Sequence, residues 1–331
     1  MIIRRVTVLG GSGFIGRHIV HDLVAAGLAV RVPSAHPDLH KDLRILPGVD
    51  LIEADVHDDA QLAGVIEGAD AVINLVGILN EDRHARFEDV HVRLPQRVVA
   101  QCRAHGVRRL LHMSALRAAP DAPSRYLRSK AEGEAAVMAA ESPELHVTAF
   151  RPSVVFGYDD HFINKFHQLL KIAPGWLPLP GARARFAPVF VEDVALAFSR
   201  SLRHVPSYGQ VYELCGPKEY SLWEIVAQIA EESGERKWLI RLGDGASVLM
   251  AAILRWLPGK PLTPDNLASM KVDSVCGRDG LPDGLAALGI CPTPMESVLP
   301  YLFGHLGVRH RYDRLRRFAH REEDEWQGMT P

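Results

Sequence analysis

The sequence predicts an α/β protein with a doubly wound, mostly parallel sheet and a smaller C-terminal lobe. Apolar runs of strand length alternate with amphipathic segments of helix length through about residue 155, which is typical of such sheets. A glycine-rich turn joins the first apolar run to the first amphipathic segment. After Gly157 the alternation stops, and proline and glycine become more frequent.

Each predicted strand is a short apolar run, and each predicted helix begins after a turn. The strands lie near Arg5–Leu9, Ala29–Pro33, Val49–Glu53, Ala71–Val76, Leu110–Ser114 and Val147–Arg151. The helices begin near Phe14, Ala60, Glu88 and Tyr126. We expect a sheet domain at 1–157, to which 188–204 returns. A smaller lobe should span 158–305, including a strand-like run at Gln210–Leu214, and a charged tail should span 306–331.

The composition is that of an ordinary globular protein. Of 331 residues, 47% are hydrophobic and 24% charged, and the formal net charge is −2, so we expect neither global disorder nor a nucleic-acid partner. No run reaches the roughly 20 apolar residues that span a bilayer. The nearest candidate, Val248–Leu254, is followed by Arg255. The N-terminus enters a strand directly, so we expect no leader peptide.

The cysteines and histidines suggest neither a disulfide nor a metal site. Four cysteines lie far apart in the sequence, at Cys102, Cys215, Cys276 and Cys291, so we expect reduced thiols and a cytoplasmic protein. The pairs His84/His91 and His305/His310 lack the spacing of a helical metal clasp, and we therefore predict no metal.

The first motif is the turn Gly-Gly-Ser-Gly-Phe-Ile-Gly16 between the first strand and the first helix. Gly10 permits the tight turn, Gly13 lets a diphosphate approach the backbone, and Gly16 lets the helix pack closely on the sheet. The amides at the start of that helix favour an anion. The pattern predicts a Rossmann-like site for a dinucleotide, with Phe14 and Ile15 beside it.

The end of the second strand indicates which nucleotide is bound. NAD sites usually carry an acidic residue there, and none stands in Val-Arg-Val-Pro-Ser-Ala-His36. Because Arg31 and His36 are basic, we expect NADP in preference to NAD. Asp55, after the third strand, can meet the adenine edge together with Val56, or it can simply cap a helix.

The second constellation is Ser114, at the end of the fifth strand, followed by Tyr126-Leu-Arg-Ser-Lys130. Tyr126 and Lys130 are four residues apart and share one helix face. Because a phenol has an ordinary pKa near 10, it needs a nearby cation to act near neutrality. We expect Lys130 to supply that charge and to bind the nicotinamide ribose, while Ser114 orients the substrate oxygen.

With these residues in place, the sequence resembles the extended and atypical short-chain dehydrogenase/reductases across roughly residues 3 to 300. It is most similar to the branch that includes the nucleotide-binding accessory subunit of respiratory complex I and its bacterial relatives. Besides the motifs above, the resemblance rests on these segments: Asp89-Val-His-Val-Arg-Leu-Pro95, Leu110-Leu-His-Met-Ser-Ala-Leu116, Arg151-Pro-Ser-Val-Val-Phe-Gly157, Pro188-Val-Phe-Val-Glu-Asp-Val-Ala195 and Gly209-Gln-Val-Tyr-Glu-Leu-Cys-Gly-Pro217.

The resemblance implies a set of site residues. Gly10, Gly13, Gly16, Lys130 and the backbone at 75–77 would contact the dinucleotide, with Ser114 and Tyr126 towards the substrate. We also expect Leu75, Val76, Gly77 and Pro152 at the cofactor, and Phe156, Tyr158 and Arg185 at the substrate. Sugar-nucleotide epimerases usually have Asn where His91 stands, and Arg185 is displaced by one position from their diphosphate arginine. A nucleotide-sugar substrate is therefore disfavoured.

Three functions are compatible with these features. The first is an NAD(P)-dependent oxidoreductase acting on a small or lipophilic carbonyl or alcohol. The second is a non-catalytic NAD(P)-binding subunit or assembly factor of a membrane or quinone-linked complex, and the third is a nucleotide-sugar epimerase or dehydratase. The basic tail Arg309–Arg321 favours a solvated helix, with attachment to the inner face of the membrane as the alternative. A homodimer is compatible with the sequence.

Overall fold

The structure is a computed structural model that describes residues 2–82, 85–256 and 262–303. The predicted tail at 306–331, and His84, His305 and His310 of the histidine pairs, lie outside the described residues. Among the helices that are described, none has the length and apolar character needed to cross a bilayer.

The first half of the chain alternates strands and helices as expected. The strands are β1 (Arg5–Leu9), β2 (Ala29–Ser34), β3 (Val49–Glu53), β4 (Ala71–Asn74), β5 (Arg109–Met113) and β6 (His146–Pro152). The helices are α1 (Phe14–Ala25), α2 (Lys41–Arg44), α3 (Asp59–Ile66), α4 (Leu94–Ala104) and α5 (Arg125–Met138). A π-helix at Glu88–Arg93 leads directly into α4.

The second half contains short strands and further helices. Its strands are β7 (Val155–Phe156), β8 (Trp176–Leu179), β9 (Arg185–Phe186), β10 (Val189–Phe190), β11 (Gln210–Leu214), β12 (Tyr220–Ser221) and β13 (Trp238–Arg241). Its helices are α6 (Ile163–Ile172), α7 (Val191–Ser201), α8 (Leu222–Ser233), α9 (Asp244–Leu254), α10 (Pro264–Ser269), α11 (Gly284–Ala287) and α12 (Met295–Phe303).

Seven strands form one parallel sheet in the order β11-β6-β5-β4-β1-β2-β3. Strands β1, β4, β5 and β6 are almost wholly buried because helices cover both faces. The strand order reverses between β1 and β4, and in such sheets the crevice at this point, beyond the carboxyl ends of the strands, binds ligands. The predicted doubly wound, Rossmann-like fold is confirmed.

One strand belongs to a different part of the molecule than we expected. Gln210–Leu214, which we placed in the smaller lobe, pairs with β6 and forms the edge of the large sheet. The buried Arg109 side chain supports this edge, since its Nη2 donates to Thr148 Oγ1 at 2.7 Å and to Ser207 Oγ at 2.9 Å. This pairing could not be predicted, because a short apolar strand has the same sequence pattern in either lobe.

The expectation of four reduced thiols is wrong for two cysteines. Cys215, directly after β11, forms a disulfide with Cys276 across 61 positions, while Cys102 and Cys291 are free. Sequence spacing could not reveal this pair because the chain between them passes through the smaller lobe and returns. We inferred a cytoplasmic protein from four reduced thiols, and the disulfide removes that argument.

Candidate nucleotide and catalytic site

The turn between β1 and α1 depends on close backbone approaches. Gly10 has a φ of 77°, and a Cβ there would lie 3.2 Å from backbone atoms of Leu75 and Val76. A Cβ on Gly16 would lie 2.3 Å from the Gly10 carbonyl oxygen, so this glycine lets α1 pack on the turn. Gly13 is the N-cap of α1 and has no side chain. The first amides of the helix are therefore open to an anionic ligand.

The segment after β4 forms the opposite wall of this turn. Asn74 Oδ1 accepts the N–H of Val76 at 3.2 Å, and the Leu75 N–H donates to the Leu9 carbonyl at 2.9 Å. A Cβ on Gly77 would lie 3.6 Å from Lys130 Nζ. The glycine turn, the 75–77 segment and Lys130 are therefore neighbours at the carboxyl ends of β1 and β4, and their contact with a dinucleotide stays a prediction.

Ser114 and Lys130 lie at the end of β5, where the catalytic groups were expected. The Lys130 Nζ donates to the Met113 carbonyl at 2.6 Å, and burial lowers the pKa of this ammonium to about 8, while Glu134 opposes the shift. Ser114 Oγ is buried and has no hydrogen-bond partner among the described residues. Because a buried hydroxyl is seldom left without a partner, it is available to a ligand oxygen.

Tyr126 begins the same helix, α5, one turn before Lys130. Its half-buried ring packs on an apolar cluster that includes Ala115, Leu127 and Val272. Burial raises the pKa of the phenol to about 12. We expected Lys130 to lower this pKa, and in the protein alone the shift has the opposite direction, because the apolar surroundings disfavour the phenolate.

A buried histidine connects the two walls of the crevice. His91 Nε2 accepts the backbone N–H of Ile78 at 3.0 Å, so Nδ1 carries the proton and donates to Ser129 Oγ at 2.8 Å. Ser129 Oγ donates in turn to the Tyr126 carbonyl at 2.8 Å. Burial and the Lys130 ammonium lower the pKa of His91 to about 3, which keeps the ring neutral.

Sequence reasoning missed most of this connection. It considered His91 as a member of a rejected metal pair and as a departure from Asn, and it did not identify Asn74, His112 or Ser129 as site residues. His112 is fully buried with Nδ1 3.4 Å from Asn74 Nδ2, and burial holds its pKa well below the ordinary value. The available signal was a polar residue inside an apolar strand, as in Ile-Asn74 and Leu-His112.

Arg31 does not belong to the nucleotide group. Its Nη1 donates to the Val65 and Glu67 carbonyls at 2.9 and 2.8 Å, at the end of α3, and its Nε lies 3.9 Å from Asp50. Arg31 stands in the middle of β2, where its side chain points along the helix layer. The guanidinium satisfies helix carbonyls, and we remove it from the candidate site.

The remaining cofactor residues lie on the ends of strands. His36 is exposed just after β2, and Pro152 ends β6, where its carbonyl accepts the Leu116 N–H at 3.0 Å. Asp55 Oδ1 accepts the His57 N–H at 2.8 Å, so this carboxylate stabilises a turn, and Asp58 is the N-cap of α3. Val56 is half-buried on the neighbouring core.

The three substrate candidates are dispersed. Phe156 is fully buried and its ring lies 5.6 Å from that of Phe190, so it belongs to the core. Tyr158 is exposed and lines a cavity of about 470 Å³ with residues of α1, α7 and α12. Arg185 forms an ion pair with Glu219 at 3.1 Å. The role of Phe156 at the substrate stays a prediction.

Within 2–82, 85–256 and 262–303 the structure contains no group of three His, Cys, Asp or Glu residues that could hold a metal ion.

Known proteins resemble the chain in sequence and in fold. The profile of the NAD dependent epimerase/dehydratase family matches residues 6–215. The chain is 30% identical over 297 residues to the Mus musculus mitochondrial NADH dehydrogenase (ubiquinone) 1 alpha subcomplex subunit 9, covering 88% of this chain and 77% of that protein. It is 29% identical over 314 residues to a ceramide reductase of Caulobacter vibrioides, covering 93% of each.

The solved structure of an NADPH-dependent quinone oxidoreductase from Escherichia coli, in complex with NADPH, matches with a TM-score of 0.70 at 19% identity, over 91% of this chain and 99% of that chain. At that identity the likeness shows a shared fold. The resemblance to short-chain dehydrogenase/reductases and to the complex I accessory subunits, predicted from the motifs, is confirmed. The sheet, the glycine turn and the match over residues 6–215 show that the chain belongs to the NAD dependent epimerase/dehydratase family.

Proposed function

We propose that the protein is an NAD(P)-dependent oxidoreductase in which Tyr126 transfers a proton to or from the oxygen of a lipophilic carbonyl or alcohol. Our main reason is that Ser114 and the Lys130 ammonium lie at the end of β5, while Tyr126, one turn before Lys130 on α5, packs against the cluster that contains Ala115. Ser114 supplies a buried hydroxyl that has no partner among the described residues, Tyr126 supplies a phenol, and Lys130 supplies a buried ammonium. A purely structural site has no need of this combination.

The residues of the crevice fit a nicotinamide dinucleotide. Two observations support this fit. A Cβ would fill the space beside the glycine turn, and the buried Ser114 hydroxyl has no partner among the described residues. We assign to this cofactor Gly10, Gly13, Phe14, Ile15, Gly16, His36, Asp55, Val56, Leu75, Val76, Gly77, Lys130 and Pro152. We propose NADP in preference to NAD, because no carboxylate stands in the segment from Val30 to His36 that ends β2, and His36 is basic. Residues 1–157, 188–204 and β11 would bind the cofactor, and the rest of 158–305 the substrate.

The protonation states favour carbonyl reduction. When bound, the nicotinamide supplies the hydride. With a pKa of about 12, the Tyr126 phenol keeps its proton at neutral pH and can give it to the substrate oxygen. Ser114 Oγ donates a hydrogen bond to the same oxygen. Lys130, one helical turn along α5, stabilises the phenolate that remains until solvent returns the proton.

The walls beside Tyr126 favour an apolar substrate. The cluster of Ala115, Ala122 and Leu127, with Val272 packed against it, offers methyl groups and no charge. The likeness to a ceramide reductase over 93% of both chains supports the same class of substrate. Arg185 is paired with Glu219, which disfavours a nucleotide-sugar diphosphate as the ligand.

The Tyr126→Phe variant tests this proposal. It removes the transferable proton and keeps the ring, so oxidation of NADPH by aliphatic ketones of increasing chain length should fall about a hundredfold or more. The dissociation constant for NADPH, measured by calorimetry, should change little. The matched control is Tyr208→Phe, at a ring stacked on His146, which should retain full activity. Turnover by Tyr126→Phe at the wild-type rate would disprove the proton-transfer role.

The names of several relatives favour a second candidate. The mouse relative is a subunit of NADH dehydrogenase, and a nucleotide-binding subunit of a membrane complex needs no turnover. In that case wild type and Tyr126→Phe would bind NADPH equally and neither would oxidise it with any ketone of the series. The glycine turn would keep its function, and Gly13→Val would abolish nucleotide binding in both candidates.

A further inference from the structure

Helix α9 carries an apolar face towards solvent. Its buried residues are the small Ser247 and Ala251. Val248, Leu249 and Ile253 are 55%, 64% and 60% exposed, and Trp256, two residues after the helix, is 81% exposed. At about 100° per residue, the exposed apolar positions fall in one sector about 140° wide, opposite the buried pair. The helix is thus amphipathic with its larger apolar side chains outward, the reverse of an ordinary surface helix.

Arginines flank α9 along the chain, because Arg241 ends β13 and Arg255 directly follows the helix. The Arg255 guanidinium lies 5.3 Å from the centre of the Trp256 ring, and that of Arg241 lies 5.0 Å from the centre of the Trp223 ring. Neither guanidinium forms an ion pair with a carboxylate in the described part of the chain. The strand that leads into α9 carries Trp238, 82% exposed, paired in register with Trp176.

This composition fits a lipid surface better than another protein surface. Indole rings favour the boundary between headgroups and acyl chains, where one edge stays hydrated. Aliphatic side chains of one helix face enter the acyl region, and unpaired guanidinium groups attract anionic headgroups. The face of α9, with Trp256 after it and the flanking Arg241 and Arg255, has the composition that these conditions require.

The same helix adjoins the cover of the catalytic site. Helix α10 packs against both α9 and α5. The Asp265 carboxylate of α10 accepts the N–H groups of Arg125 and Tyr126 at 2.7 and 3.1 Å. Thr263 Oγ1 donates to Asn80 Oδ1 at 3.1 Å, on the loop after β4. Helix α10 therefore bridges the two walls of the crevice beside Tyr126.

We propose that α9 docks on an anionic lipid surface and turns the mouth beside α10 towards the bilayer, so that the substrate is a lipid carbonyl taken directly from the membrane. The substrate part rests on the proposed function. The docking part rests on the face of α9 alone.

The test uses the full chain and vesicles of phosphatidylcholine with and without phosphatidylglycerol. We expect wild type to co-sediment with the anionic vesicles, and the double variant Leu249→Glu with Ile253→Glu to bind them at least about tenfold more weakly. The matched control is Ile45→Glu, at an apolar side chain that is 82% exposed after α2. This control should bind like wild type. Arg241→Gln with Arg255→Gln should reduce only the dependence on phosphatidylglycerol.

The outcomes separate the two proposals. If wild type ignores both kinds of vesicle, or if the α9 double variant binds as wild type does, the docking proposal is overturned. If light scattering shows a dimer in wild type that the α9 double variant loses while it still binds vesicles, the face contacts a second copy of the chain. The docking proposal is then overturned as well. NADPH oxidation with a short water-soluble ketone should be equal in wild type and the α9 variant. If wild type and the α9 variant both lack that activity, the result counts against the proposed oxidoreductase function and leaves the docking proposal unchanged.

Discussion

At the scale of single residues, His91 contributes a pH-dependent stability with a definite sign. Its pKa is lowered from 6.5 to about 3 in the folded chain, so between these values only the unfolded chain binds the proton. Stability is then complete above about pH 6.5 and is lost by about 1.4 kcal/mol per pH unit on acidification. In His91→Asn, the free energy of unfolding measured with urea between about pH 4 and 6 should change less steeply with pH, by about this amount per pH unit.

The control for this experiment is His57→Asn, at an exposed position, whose slope should equal that of wild type. His112 is buried with its pKa lowered in the same sense, so some acid sensitivity should remain in His91→Asn. A variant slope equal to that of wild type would show that folded His91 takes up the proton, and the neutral Ile78-His91-Ser129 connection would be wrong.

Sequence reasoning predicts residues whose role is local and misses those whose partner lies elsewhere in the chain. Gly10, Gly16 and the Tyr126/Lys130 spacing follow from turn geometry and helix periodicity, and the structure has the predicted turn and helix at these positions. Arg31 binds carbonyls 34 and 36 positions away, and no sequence pattern around it encodes that distance. The assignment to a phosphate was therefore drawn from charge alone.

At the scale of elements, the π-helix before α4 explains a glycine within α5. Pro95 has no N–H to give to the carbonyl of His91 four residues earlier, which interrupts the α-helical pattern at this point. That carbonyl lies where a Cβ on Gly133 would sit, only 1.8 Å away. Close packing of α5 on the π-helix thus requires glycine at 133, and neither helix alone reveals it.

Substitution of two helical glycines by alanine should have opposite effects. Alanine is favoured in a helix by up to about 1 kcal/mol, and Gly64 in α3 has open space around it, so Gly64→Ala should stabilise the protein by up to that amount. Gly133→Ala should destabilise it by about 2 kcal/mol or more, because the His91 carbonyl has to move. Urea unfolding of both variants measures this, and stabilisation by both would refute the close approach.

Helix α10 should control the placement of Tyr126. In Asp265→Asn the acceptor charge at the N-terminus of α5 is lost, so the amides of Arg125 and Tyr126 should exchange hydrogen faster. If Tyr126 is the proton donor, kcat should fall about tenfold while the dissociation constant for NADPH stays the same.

The matched control for that helix is Asp283→Ala, which removes the N-cap side chain of α11. We expect it to lower stability by about 1 kcal/mol and leave kcat unchanged. Equal loss of kcat in both variants would mean that Asp265 acts only through stability and does not position the tyrosine.

The elements themselves were predicted to different degrees. Strands β1 to β6 agree with the sequence because each is a buried run bounded by turns, and such runs are self-contained signals. The π-helix and the place of β11 depend on contacts made by other parts of the chain. Pairing of β11 with β6 joins residues 62 positions apart, as between Gln210 and Thr148, and an apolar pattern holds no information about that partner.

At the scale of the whole molecule, the disulfide holds a segment of the smaller lobe across the ends of β6 and β11. Between Val272 and Asp279 this segment receives a hydrogen bond from Ser153 Oγ to the Ser274 carbonyl at 2.7 Å, and Gly277 N–H donates to Glu213 Oε2 at 2.7 Å. Asp279 pairs with Arg117. Since Val272 packs on the cluster that holds Tyr126, the bridge connects the edge of the sheet to the wall formed by that cluster.

Reduction of this bridge should therefore weaken the whole fold and loosen that wall. Closing a loop of 61 positions removes unfolded-state entropy worth about 4 kcal/mol, so Cys276→Ser should lower the free energy of unfolding by up to this amount. Thiol titration of the unfolded, unreduced chain should find two free groups, Cys102 and Cys291, and four after reduction. Cys291→Ser is the matched control because Cys291 is exposed and unpaired, and its stability should equal that of wild type. Four free thiols before reduction would refute the bridge and restore the reduced chain that the sequence alone suggested.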